Sequence, residues 1–113
     1  MKLGYEGLRL RIFVHETLRH GHESLYKDLV RRARREGLAG ATVFHCIEGF
    51  GGHRHIHTNR LVDAADDLPV IIEIIDQPEA IRRFARSLDD VIEHGMMTIS
   101  PVQVVKYSAG VAD

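Results

Sequence analysis

The sequence predicts an α+β domain of the ferredoxin-like kind, a βαββαβ sandwich with one antiparallel sheet and two helices on one face. Three observations predict it. Apolar and other residues alternate with a period of two over 8–15. Two stretches with apolar residues at helical spacing, 24–36 and 78–92, are each followed by a glycine. The apolar runs around them arrive in the order strand, helix, strand, strand, helix, strand. At 113 residues the chain is one domain, 1–113, with its core over about 8–107.

The first strand, over 8–15, sets Leu8, Leu10, Ile12 and Val14 on one side and Arg9, Arg11, Phe13 and His15 on the other. The first helix carries Leu25, Leu29, Val30 and Ala33 inward, with Gly37 as its stop. Its arginine run, Arg31, Arg32, Arg34 and Arg35, is interleaved with Glu23, Asp28 and Glu36 and has no aromatic stacking set. That pattern reads as a solvated face rather than a nucleic-acid surface. The second strand, over 41–48, is centred on Thr42, Val43 and Phe44. It contains the lone Cys46, read as a small core residue in mid-strand.

Leu68-Pro69 opens a third strand over 70–75, apolar on both faces except for Glu73, which is expected to pair in a subunit interface. Asp76 as N-cap, Pro78 and Glu79 start the second helix. It buries Ile81, Phe84, Ala85, Leu88, Val91 and Ile92 and runs to Gly95. A short fourth strand follows over 96–99, with a fifth over 102–107 after Pro101.

Bulk composition narrows the function. Charged residues make 27% of the chain, hydrophobic ones 44%, and the net charge is −1, which points to neither nucleic acid nor an anionic membrane. The apolar run at 70–75 is far too short for a membrane span, and MKLGYEGLRLRIF has no signal-peptide pattern. A single cysteine excludes an internal disulfide and a multi-thiolate zinc site, so a cytoplasmic location is the default.

Right-handed crossovers give the strand order fourth-first-third-second. This brings the first strand–helix connection, the long strand–strand loop and the second helix–strand connection to one end of the sheet. Seven of the eight histidines meet there: His15, His20, His22, His53, His55, His57 and His94. His45, inside the second strand, is expected to lie apart. The face without helices carries Phe13 and either Ile71 and Ile75 or Ile72 and Ile74. Burying such side chains is worth about 1.5–3 kcal/mol each, so self-association is expected.

The loop GFGGHRHIHTNR, 49–60, offers three chemistries. Its glycines and cations suit an anion, although Gly49-Phe50-Gly51-Gly52 is neither a P-loop nor a dinucleotide fingerprint. If extended, His53, His55 and His57 share one face at roughly 6.5–7 Å per two-residue step, a spacing that suits a divalent metal. Three solvated histidines are the third reading. Asp63, Asp66 and Asp67, after the loop, read as turn and cap chemistry.

Four segments together resemble a known family: HCIEGFG (45–51), IHT (56–58), DLPVIIEIID (67–76) and GMMTISPVQVVKY (95–107). They are similar to the PII-like signalling proteins, in the branch known only as a domain of unknown function. The resemblance implies a homotrimer with its sheets facing inward and an adenine nucleotide (AMP, ADP or ATP) bound in clefts between subunits. It implies a regulatory rather than enzymatic role. The 49–60 loop would report the bound state to a partner such as a membrane transporter or channel.

By position, the resemblance assigns nucleotide binding to Glu16, Gly49, Phe50, Gly51, His57, Thr58, Gly95 and Lys106. The chain departs from the branch at His22-Glu23-Ser24, where Gly-Lys-Pro is common, and at His45-Cys46, where Arg-Gly is common. A neighbouring group, the divalent-cation tolerance proteins, supports the alternative of a histidine-rich metal-binding protein using His53, His55 and His57.

Overall fold

A computed structural model of the chain describes residues 2–50 and 67–107. In chain order the elements are β1 (Lys2–His15), a two-rung hairpin of β2 (Arg19–His20) and β3 (Glu23–Ser24), then α1 (Leu25–Arg35) and β4 (Thr42–His45). After the loop come β5 (Pro69–Asp76), α2 (Pro78–Ser87) and β6 (Met96–Tyr107). The four long strands form one antiparallel sheet in the order β4-β5-β1-β6, the expected fourth-first-third-second arrangement.

Alternation along β1 and β5 decides which face is covered. Leu8, Leu10, Ile12 and Val14 point to the helices, as do Val70, Ile72 and Ile74 opposite them. Leu25, Leu29 and Ala33 from α1 close over this face with Ile81, Phe84 and Ala85 from α2. The other face carries Phe13, Ile71 and Ile75, so the second of the two readings of β5, with Ile72 and Ile74 outward, is excluded. In its middle Arg11 donates from Nε to Glu73 Oε2 at 2.8 Å across the β1–β5 ladder. Glu73 thus finds its partner within the chain. Among the described residues no helix is long and apolar enough to cross a membrane.

Several boundaries differ from the sequence reading, each for a local reason. β1 begins six residues earlier than the alternation shows, because Gly4 and Gly7 interrupt the pattern. β4 stops at His45 rather than Glu48: Cys46 donates to Pro69 O at 3.1 Å, and Pro69 has no N–H to return the bond. Cys46 therefore lies just past the strand and only half-buried, not in the core.

Gln77, not Asp76, precedes the first turn of α2 as its N-cap. The Asp76 carboxylate instead accepts from the Ala39 N–H at 2.9 Å, tying down the connection before β4. α2 ends at Ser87, where Leu88 and Asp89 bond to carbonyls three residues back. Asp89-Asp90 would also sit badly at the negative end of a longer helix. Val91 and Ile92 still pack against the core from the turns that follow. β6 runs unbroken through Pro101, which an edge strand tolerates.

Gly7 permits a close approach at the end of β5. A Cβ there would lie 2.8 Å from Asp76 O and 2.9 Å from Tyr5 Cε2. Burial and the Asp76 carboxylate together raise the pKa of the Tyr5 phenol. Gly7→Ala is expected to cost about 1–3 kcal/mol in urea unfolding through this overpacking. Gly40→Ala, where a Cβ meets open space, is expected to stay within about 0.5 kcal/mol of the parent.

Candidate functional site

The long loop leaves β4 and returns to β5 at the same end of the sheet, and both of its roots are fastened there. On the incoming side Cys46 is bonded to Pro69, and Gly49 lies so close that a Cβ would stand 3.2 Å from Pro69 Cγ. On the outgoing side the residues after β1 grip Asp67 and Leu68. The Glu16 N–H donates to Leu68 O at 2.9 Å. The Thr17 hydroxyl donates to Asp67 Oδ1 at 2.8 Å, with the Thr17 N–H 3.4 Å from the same oxygen.

His15, only 9% exposed, completes this clasp. Its Nδ1 lies 3.1 Å from Asp67 O and 3.4 Å from Asp67 Oδ1. Both oxygens are acceptors, so Nδ1 carries the proton. Asp67 is thus more than a turn residue: it locks the end of the loop to the strand that organises the sheet.

A second group sits beside the clasp. His45, expected to lie apart, is the last residue of β4 and reaches the same end. Its Nδ1 is 3.7 Å from Glu16 Oε2, and its ring meets Tyr26 edge-on at 5.3 Å and 89°. His20 Nδ1 lies 3.2 Å from Asp28 Oδ2, which also accepts from Arg32. Glu23 turns to α1 and pairs with Arg31, raising that guanidinium's pKa.

Between the β2–β3 hairpin and the turns after α2 is a cleft of about 330 Å³. Leu25 and Val91 line it together with Arg19, His20, Glu93 and His94, giving it charges of both signs.

Of the expected nucleotide-binding residues, Glu16, Gly49, Phe50 and Gly95 share this end. Gly49 stands against Pro69 at the start of β5, and Gly95 precedes the β6 edge on the other side of β1. Gly95 has its own structural reason to be glycine: φ is +146°, and a Cβ would lie 2.7 Å from Phe13 O. Lys106 is not at this end. It pairs with Leu3 at the opposite tip of the sheet, eleven residues along β6 from Gly95 and about 36 Å away. Gly51, His57 and Thr58 lie outside the described residues, as do His53 and His55 of the metal reading. Among the described residues no group of three His, Cys, Asp or Glu side chains is arranged to hold a metal ion.

Comparison with known proteins adds to this geometry. A family model described as DUF190, Uncharacterized ACR, COG1993, matches residues 7–104. A UPF0166 protein of Aquifex aeolicus (strain VF5) is 38% identical over 96 residues, covering 85% of this chain and 90% of that one. A UPF0166 protein of Methanocaldococcus jannaschii is 35% identical over 98 residues, covering 86% and 90%.

Among solved structures, CPII from Thiomonas intermedia K12 bound to ADP, AMP and acetate superposes with a TM-score of 0.64 at 18% identity, covering 90% and 91%. The same protein, a nitrogen regulatory PII-like protein, bound to ADP, AMP and bicarbonate, superposes with a TM-score of 0.62 at 19% identity, covering 90% and 91%. The fold is that of the PII-like proteins.

The clasp is testable without any ligand. Asp67→Ala removes the acceptor of the Thr17 hydroxyl and is expected to cost about 1 kcal/mol in urea unfolding. In a double-mutant cycle, Thr17→Val and Asp67→Ala are expected to couple by roughly 0.5–1.5 kcal/mol; additive effects would deny the clasp its stabilising role.

Proposed function

The chain belongs to the DUF190 family, and from that premise we propose that it is a PII-like regulatory protein. It binds an adenine nucleotide in clefts between the subunits of a homotrimer and signals through the 49–60 loop to a partner protein. It works by binding rather than by catalysis, and a membrane transporter or channel is the kind of partner this role suits.

The observation that carries this reading is the fastening of both loop roots beside Glu16, at the end of the sheet where Gly95 also lies. A loop held by the clasp can transmit what touches its base. A ligand beside Glu16, Gly49 and Phe50 meets backbone whose position is set by β1, β4 and β5 together. Gly51, His57 and Thr58 belong to the same proposed site. The binding of ADP and AMP by CPII, which shares the fold, supports an adenine nucleotide as the ligand.

The uncovered face of the sheet supports the homotrimer. Phe44, Ile71, Phe13 and Met96 line up across four strands at the loop end, with Phe44 43% and Met96 54% exposed. Covering such a row stabilises an assembly at about 25 cal/mol per Å² of apolar surface. The separation of Lys106 from Gly95 fits the same scheme. In this reading Lys106 meets a nucleotide held by the loop end of another subunit.

Calorimetric titration of the purified protein with AMP, ADP and ATP, with mass by light scattering, tests the proposal. A trimer mass and saturable binding of at least one nucleotide are expected. Lys106→Ala should weaken that binding about tenfold, the loss of one charge-assisted contact. Ile71→Asp, on the uncovered face, should give monomers. Absence of binding by all three nucleotides would overturn the ligand, and a stable monomer of the parent chain would overturn the assembly.

A further inference from the structure

We infer that the cleft between the β2–β3 hairpin and the turns after α2 binds a small zwitterion, an α-amino acid with an aliphatic side chain. Its lining comes from a single chain, and the inference does not rest on the nucleotide reading above. The volume, about 330 Å³, lies at the low end of the roughly 300–1,000 Å³ usual for small-molecule sites. That is room for a small metabolite.

Both walls are fixed by backbone bonds before any ligand arrives. On the hairpin side Arg19 pairs with Ser24 and His20 with Glu23, and the Leu25 N–H donates to Leu18 O at 2.8 Å. Arg19 Nη1 donates to His22 O at 2.9 Å, which holds the guanidinium against the hairpin. On the other side the Val91 and Ile92 N–H groups both donate to Leu88 O, at 2.9 and 3.0 Å. Leu88 is completely buried, so the turn that carries Asp90 and Glu93 is anchored to the core. Leu18, Leu25 and Val91 give the cleft an apolar lining continuous with that core.

The charges select the ligand. Arg19 lines one wall, and Asp90 and Glu93 line the other. Among the described residues none of these three is in an ion pair. Opposite charges thus share one cleft without meeting, and a molecule placed between them can satisfy both walls. A phosphate or a nucleotide would face two carboxylates, and a simple amine would face the guanidinium. A molecule with its own carboxylate and ammonium is complementary to each wall in turn. Its carboxylate goes to Arg19, where the contact is charge-assisted, and its ammonium goes to Asp90 and Glu93. The apolar lining takes a short aliphatic side chain.

Calorimetric titration of the purified chain with L-leucine and L-valine, without nucleotide, tests the site. Isocaproate and isoamylamine, which each keep the aliphatic body and one of the two charges, serve as controls. Saturable binding of at least one amino acid is expected, with both controls weaker by about tenfold, the loss of one charge-assisted contact. Arg19→Gln should weaken amino-acid binding about tenfold, and so should Asp90→Asn combined with Glu93→Gln. All three positions are exposed, so circular dichroism should remain that of the parent. In the parent the amino acid should also shift the amide NMR signals of Gly21 and Val91, which line the cleft. Absence of binding by both amino acids would overturn the inference. So would controls that bind as tightly as the amino acids, or affinity unchanged in both variants. Nucleotide titration keeps the two ideas apart: nucleotide binding without amino-acid binding removes this site alone, and the reverse result keeps it while removing the nucleotide.

Discussion

Leu10 and Ile12 are fully removed from solvent between the sheet and the two helices, and their position holds β1 in register. Burying two such side chains is worth about 1.5–3 kcal/mol each. A slip of β1 by one residue would exchange them for Arg9 and Arg11, placing two guanidinium groups in an apolar core. The register cannot drift, and the rest of the molecule is referred to it. β5 pairs on one side of β1 and β6 on the other. His15, which ends β1, and Glu16 and Thr17, which follow it, therefore arrive at a fixed height beside Pro69, where the loop returns. A packing constraint in the middle of the sheet sets the geometry of the site at its end.

The same constraint produces the uncovered face. Once the even-numbered residues of β1 are committed to the helices, Arg9, Arg11 and Phe13 must face the other way. Arg11 is held against Glu73, with side chains 37% and 17% exposed. In a lone subunit such a pair adds little, since solvent screens it. Covered by another subunit, either charge alone would be costly, so a pair matched beforehand within the chain lets the face be buried without new partners. Phe13 and Ile71, two rungs towards the loop, would then supply the apolar contact.

The parts of this structure that were legible in the sequence are those governed by local periodicity. Alternation gave β1 from Leu8 onward, helical spacing gave α1 and the first turns of α2, and the order of elements gave the strand order. What was not legible depends on partners distant in the chain. Residues 2–7 are a strand because β6 lies beside them, although Gly4 and Gly7 erase the pattern that would announce it. Asp76 has the residue type of an N-cap but accepts from Ala39, 37 positions away. His45 joins the other histidines because β4 ends early, and β4 ends early because its facing residue is Pro69. The clasp of Thr17 and Asp67 spans 50 residues, and no local motif marks it.

The histidines show what topology adds to composition. Five of the eight are described at or beside the loop end: His15, His20, His22, His45 and His94. Crowding of that kind suggests a metal, but among the described residues no group of three His, Cys, Asp or Glu side chains is arranged to hold one. Three of the rings turn Nδ1 towards acidic residues: His15 faces Asp67, His20 faces Asp28 and His45 faces Glu16. Donation from Nδ1 to such an oxygen fixes the orientation of the ring. At this end of the sheet, then, histidine binds one segment to another: the strand to the loop, the hairpin to α1, and β4 to the turn after β1. These links hold the loop base in one shape.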